Sequence, residues 1–162
     1  MRVPIRKAGE YSDLSLDPKM TEAKFLELQK NLQKLKEVNR PKWIKEMQVA
    51  ASDGDFSENA SYQIAKSKLR GVNQKITELE NLLNKVEIIQ VNKHITSVQV
   101  GNFVTVDNGE KEFTYQILGS VETKPEKGII SLHSPLGEAL LGKKLGEKVL
   151  VNDREYKIVK IS

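Results

Sequence analysis

The sequence predicts an α+β protein, an antiparallel α-helical coiled-coil hairpin followed by a small strand-rich α+β domain. Three observations predict it. Tyr62, Ala65, Leu69, Val72, Ile76, Leu79, Leu83 and Val86 recur at alternating steps of three and four residues, the seam of a coiled coil. An earlier apolar series (Phe25, Leu28, Leu32, Leu35, then Ile44, Met47 and Ala51) is joined to it by a short glycine-containing segment. Beyond Val91 the apolar period shifts to two, with turn signals between short runs.

In chain order, residues 1–19 form an arm with Pro4, Gly9 and Pro18 and no sustained periodicity. Thr21 is placed to cap the first helix. Arg40-Pro41 interrupts that arm of the hairpin, because proline lacks an N–H and its ring collides with the preceding turn; a kink, or two helices end to end, is expected there. Gly71 lies beside the seam and is expected to permit close helix approach. About 30 residues per arm at roughly 1.5 Å each make a rod of about 45 Å. The hairpin occupies 20–92 and the strand-rich domain 93–162, with 93–99 as linker. Within that domain 98–106 alternates like a strand, Asp107-Asn108-Gly109-Glu110 is a hairpin turn, and 113–118 and 128–133 are strands. A short helix over 135–141 breaks at Gly142, and a final hairpin turns at Asn152-Asp153.

Composition bounds the function. With 162 residues, 38% apolar and 30% charged, the chain can bury a core and expose long helical faces. It has no cysteine, which excludes disulfides and thiolate metal sites and fits a reducing cytoplasm. No apolar run reaches membrane-spanning length, and the amino-terminal residues carry no signal-peptide pattern, so no membrane association is expected. The net charge of +4 is spread along the chain rather than gathered in a tail. Sequence-specific DNA binding therefore finds no support, whereas approach to a polyanionic assembly does.

The most informative stretch is the hairpin apex, Asp53-Gly54-Asp55-Phe56-Ser57-Glu58-Asn59-Ala60. It holds three carboxylates, and no lysine or arginine occurs from 47 to 65. The shoulders are basic, with Arg40, Lys42 and Lys45 before the apex and Lys66, Lys68 and Arg70 after it. Two uses of the acids stand side by side. Asp55-x-x-Glu58 has the spacing of a capping box, in which Asp55 would accept from the helix backbone and Glu58 reach back to it. Alternatively the two carboxylates supply one side of a Mg²⁺ site whose other ligands come from a second molecule, since Mg²⁺ takes only one or two protein carboxylates beside water and phosphate. His94 and His133 are isolated, and Gly137, Gly142 and Gly146 lack the ending of a phosphate loop. Trp43 is either a contact residue or core filler at the kink, and Phe56 either packs under the turn or touches a partner.

The apex Gly54-Asp55-Phe56-Ser57-Glu58-Asn59-Ala60-Ser61-Tyr62 resembles the tip motif of bacterial transcript-cleavage factors of the GreA/GreB family. A second match, from Ser134-Pro135-Leu136-Gly137 through Leu141-Gly142-Lys143-Lys144 to Val149, resembles that family's C-terminal signature, and Asn39-Arg40-Pro41 falls where the family has a similar Arg-Pro. The resemblance covers about Met20 to Ser162. It implies a coiled coil followed by an FKBP-like domain that docks on bacterial RNA polymerase at its secondary channel. It implies a monomeric cofactor that stimulates the polymerase's own cleavage of backtracked RNA and acts on the nascent RNA 3′ end. By position, Asp55 and Glu58 are then the catalytic carboxylates, holding a second Mg²⁺ shared with the polymerase and orienting water; none is expected to bind stably to the chain alone. Ser57, Asn59, Tyr62 and Phe56 would support the tip or touch RNA and polymerase, and the basic shoulders would lie near the RNA. Ser134, Pro135, Gly137, Leu141, Gly142, Lys143 and Lys144 would belong to the docking domain. Ser61 departs from the family, which often has an acid there, and Phe56 stands where GreA-type members often have leucine and GreB-type ones arginine. The competing functions are a regulator that occupies the same channel without cleavage, a peptidyl-prolyl isomerase and a coiled-coil adaptor with inert capping acids. Retention of both Asp55 and Glu58 argues against the first. The scarcity of aromatics beyond residue 91 (Phe103, Phe113, Tyr115 and Tyr156) argues against the second.

Overall fold

A computed structural model describes residues 18–52, 54, 59–90 and 96–162. The expectations placed on the arm over 1–17 and on Asp55, Phe56, Ser57, Glu58 and His94 lie outside the described residues. The chain divides into two compact units, one helical (described over 25–85) and one strand-rich (18–24 with 86–162). Lys19–Met20 and Glu87–Ile88 pair with each other as a two-stranded parallel sheet belonging to the strand-rich unit.

The helical unit is an antiparallel hairpin. Helix α1 (Glu22–Lys34) leads into α2 (Arg40–Ser52) and returns as α3 (Ala60–Leu83). Near the apex Ala50 meets Asn59, and farther away Lys36 meets Glu80 at 2.6 Å, so positions more distant from the apex on one arm meet more distant ones on the other. The Lys36–Glu80 pair is solvent-exposed and marks register more than it stabilises. Ala65, Val72, Ile76 and Leu79 are buried along α3 as the heptad pattern predicts, with Leu28 and Ala50 buried on the other arm. At the far end Leu82 is buried where the pattern placed Leu83, which instead lines an open groove. Two successive three-residue steps, from Ile76 to Leu79 to Leu82, turn the buried face around a helix whose true period is 3.6.

The Arg40-Pro41 interruption resolves without a break. Leu35–Asn39 form a π turn between α1 and α2, with the Arg40 N–H bonded to the Leu35 carbonyl. Widening the helix just before Pro41 accommodates a ring that an α turn would press against the Glu37 carbonyl, the position four residues back. Gly71 corrects a sequence expectation. It is exposed, and a Cβ added there would meet nothing within 4 Å, so it mediates no close approach.

The strand-rich unit opens with β1 (Lys19–Met20) and β2 (Glu87–Ile88), followed by a five-stranded sheet. Its strands are β3 (Phe103–Asp107), β4 (Glu112–Leu118), β5 (Ile129–Ser131), β6 (Lys148–Val151) and β7 (Arg154–Ile161), in the order β5-β4-β3-β7-β6. Within this five-stranded sheet only β4 and β5 run parallel. The first sheet strand is shorter than the alternation from 98 suggested. Gly101 adopts φ +102°, and the buried Asn102 accepts a hydrogen bond from the Gln99 N–H, so 99–102 form a turn instead. Val98, Val104, Val106, Ile117, Val149 and Ile158 form the core with Leu140 of α4 (Pro135–Leu140). Both expected hairpins form. Asp107 and Asn108 side chains bond the backbone of the first turn, and Asn152 and Asp153, at φ 51° and 62°, make the paired left-handed conformation of a two-residue turn.

Thr21 caps α1 by accepting from the Lys24 N–H, and it also donates its own N–H and hydroxyl to the Glu122 carboxylate at 2.7 and 2.6 Å. Phe113, Tyr115 and Tyr156 pack against the core, and burial, with a smaller contribution from Tyr156, raises the Tyr115 phenol above its ordinary value of 10.0. Because the folded chain holds that proton more tightly, the associated stability is present below about pH 10 and is lost as pH rises through the folded-state value. Replacing Tyr115 by phenylalanine should flatten the fall in Tm measured above pH 10. Two glycines should respond oppositely to alanine. Gly71→Ala fills open space on a helix and should stabilise by about 0.5–1 kcal/mol in urea unfolding. Gly137→Ala would drive a methyl into the Ser131 carbonyl oxygen and should destabilise by about 3 kcal/mol.

Candidate functional site at the hairpin apex

The apex is anchored on both sides by described residues. On the α2 side the Ser52 hydroxyl donates to the Val49 carbonyl at 2.6 Å, and Gly54 turns the chain at φ +97° in open space. On the α3 side Asn59 is the N-cap: its backbone is extended and its Oδ1 accepts from the Tyr62 N–H at 2.9 Å. The same side chain reaches across the hairpin, its Nδ2 donating to the Ala50 carbonyl at 2.6 Å. One amide therefore satisfies a free donor at the start of α3 and a free acceptor near the end of α2.

At α3 the cap comes from a residue other than the two acids. The helix starts at Ala60 and its cap is Asn59, so the capping task assigned to Asp55 is already performed by another side chain. The third helical position is Tyr62 rather than an acid, so no capping box is built at α3. Sequence spacing missed this because Asp and Asn cap equally well, and only the helix start decides between them.

Arg40, Lys42, Lys45, Lys66, Lys68 and Arg70 are all exposed. Lys42 Nζ lies 5.3 Å from the Trp43 ring centroid and Lys66 Nζ 5.9 Å from that of Tyr62, distances at which a cation and a π face attract. Tyr62 and Trp43 are themselves half-buried. In the described residues 40–52 and 59–77, Glu46 is the sole acid. Basic side chains therefore outnumber acidic ones within these two described stretches.

The second motif lies in the strand-rich unit and mostly builds its own fold. The Ser134 hydroxyl accepts from the Gly137 N–H and donates to the Ser131 carbonyl, capping α4 and tying it to β5. Pro135 occupies the first turn, where no N–H is needed, and is exposed. Gly137 is buried, and the Ser131 carbonyl lies too close to leave room for a Cβ there. Leu141 ends the helix, Gly142 turns at φ +78° and donates its N–H to the Val98 carbonyl, and the backbone carbonyl of the half-buried Lys143 accepts from the Val98 N–H. Lys144 is exposed, as is His133. Among the described residues no group of three or more His, Cys, Asp or Glu could hold a metal ion, and no helix is long and apolar enough to cross a membrane.

Comparison with known proteins accounts for both units. Residues 18–88 match the family model described as "Transcription elongation factor, N-terminal", and 85–162 match "Transcription elongation factor, GreA/GreB, C-term". The chain is similar to Transcription elongation factor GreA of Macrococcus caseolyticus (strain JCSC5402), 41% identical over 150 residues that cover 88% of this chain and 95% of that protein. It is likewise similar to Transcription elongation factor GreA of Metamycoplasma arthritidis (strain 158L3-1), 38% identical and covering 88% and 94%. Among solved structures it is similar to the GreA factor homolog 1 (Gfh1) protein of Thermus thermophilus, with 23% identity, a TM-score of 0.42 and coverage of 89% and 97%.

Asn59→Ala should destabilise the protein by about 2 kcal/mol, combining a lost cap with a lost cross-hairpin bond. Asn59→Asp keeps the acceptor and loses the amide donor, so urea unfolding of the pair should divide that figure roughly in half.

Proposed function

The chain belongs to the GreA/GreB family of transcription elongation factors, and on that premise we propose that it binds RNA polymerase through the secondary channel and stimulates cleavage of backtracked RNA. What supports the reading most directly is Asn59. With the cap of α3 and the tie to α2 both supplied by this amide, Asp55 and Glu58 are not needed to start the helix. A role for their carboxylates toward a partner therefore does not compete with the start of α3.

Asp55 and Glu58 offer oxygen donors of the kind Mg²⁺ prefers, too few for a closed site, which fits an ion shared with the polymerase. A Mg²⁺ ion held there supplies charge neutralisation at the scissile phosphate and acidifies water. The chain's own contribution is positional. The clasped hairpin presents two carboxylates, their oxygens accept hydrogen bonds from water, and the basic shoulders hold the extruded RNA by its phosphates. The strand-rich unit carries the docking surface, and its motif residues give that surface its shape through α4. The factor lends groups to the polymerase's reaction and is not itself the catalyst.

The test uses stalled, backtracked elongation complexes in Mg²⁺, comparing the native chain with Asp55→Asn/Glu58→Gln. Stimulated cleavage should fall by more than about tenfold in the variant, since losing even the outer partners of a metal site has that effect. Thermal stability and polymerase binding should stay near native. A native chain that binds the polymerase without stimulating cleavage would instead be a channel-occupying regulator.

A further inference from the structure

On the helical unit, α2 and α3 enclose a depression of about 350 Å³. Trp43, Val49 and Ile64 give it apolar walls, and Glu46 and Ser61 line it with polar groups. Val49 and Ile64 are 58% and 57% exposed, so an indole and two branched aliphatics share a solvent-facing hollow outside the seam. Such a hollow is a recognition surface when something of matching chemistry covers it.

The surroundings select the chemistry. Over the described residues 40–52 and 59–77 the basic side chains are Arg40, Lys42, Lys45, Lys66, Lys68, Arg70 and Lys75, against Glu46 alone. An occupant must therefore be flat and apolar at its centre and negative at its margins. An unpaired base in single-stranded RNA meets both demands, since its π face stacks on an aromatic ring while phosphates extend to either side. Glu46 also acquires a purpose. At a site for phosphate alone it would repel the ligand, but an ionised carboxylate accepts hydrogen bonds from the amino group of a base.

We propose that the Trp43–Val49–Ile64 hollow seats one unpaired RNA base, stacked on the indole, with Glu46 accepting from its amino group. The proposal deepens the reading of the chain as a factor acting on nascent RNA and rests on it. The depression accommodates a single base, and the Lys42 Nζ, over the indole at 5.3 Å from its centroid, places a positive charge within reach of a flanking phosphate. Cytosine and adenine, which present an amino donor, are favoured over uracil, which has none.

Trp43 is the sole tryptophan of the chain, so its emission reports this hollow directly. The full-length protein is titrated at low salt with oligocytidylate, oligouridylate and an abasic ribose-phosphate oligomer of equal length. Oligocytidylate should quench Trp43 and bind several-fold tighter than oligouridylate, while the abasic oligomer binds without quenching. Trp43→Ala should weaken oligocytidylate binding by about tenfold and leave the abasic oligomer unaffected. Ile64→Ala should weaken it less, and Glu46→Ala should level the preference for cytosine over uracil. Equal quenching by the abasic oligomer, or no quenching by any oligomer, would each overturn the assignment. The emission is read without cleavage. Base-dependent quenching therefore stands even if transcript cleavage is not stimulated, and a chain that stimulates cleavage while Trp43 ignores RNA overturns the base site alone.

Discussion

The closure of the helical hairpin depends on how the two helix ends at its apex are satisfied. The start of α3 leaves backbone donors without partners and the end of α2 leaves acceptors, and both lie where the chain reverses. Asn59 answers both with one planar amide, its oxygen toward the Tyr62 N–H and its nitrogen toward the Ala50 carbonyl. Aspartate would serve the first contact only. The choice of asparagine thus carries information about the partner helix as well as about its own, and it sets the span between Ser52 and Asn59 from which the acidic residues are displayed.

The rest of the hairpin is organised around a buried seam that is thin near the apex and fuller away from it. Among the described residues Ala50 and Ala65 are the buried ones of the apical half, whereas Val72, Ile76, Leu79 and Leu82 are buried in the distal half. Small side chains let the helices approach closely where the arms must be joined by a short turn, and large ones supply most of the hydrophobic stabilisation elsewhere. The π turn at Leu35–Asn39 lets the first arm continue past Pro41 as helix. Without that wider turn the proline would end the arm short of the apex, and the seam would lose its partner over the half that carries the basic shoulders.

Particular residues show how far the sequence could be read. The return seam was legible because Ala65, Val72, Ile76 and Leu79 obey a period that only a helix has. Both β-turns of the strand-rich unit were legible because Asp107-Asn108-Gly109 and Asn152-Asp153 are among the few pairings that tolerate left-handed backbone or bond it locally. Gly71 was misread, since a glycine near a seam has the same letter whether or not anything lies opposite it. The cap at Asn59 was missed because several apex residues can cap. The link from Thr21 to Glu122 leaves no trace in local pattern, for its partners stand 101 positions apart.

By itself the sequence determined the order of helical and strand-rich segments, the basic-acidic-basic charge pattern about the apex and the two motifs that identify the family, because periodicity, charge and turn chemistry are local properties. Tertiary structure alone decided which residue caps α3, which glycine is crowded and which is free, where β1 and β2 pair, and that Trp43, Val49 and Ile64 share one hollow. Each of those outcomes turns on what lies across space from a residue. A neighbour across a helix pair or a sheet is set by packing, and packing is not written in any window of adjacent letters.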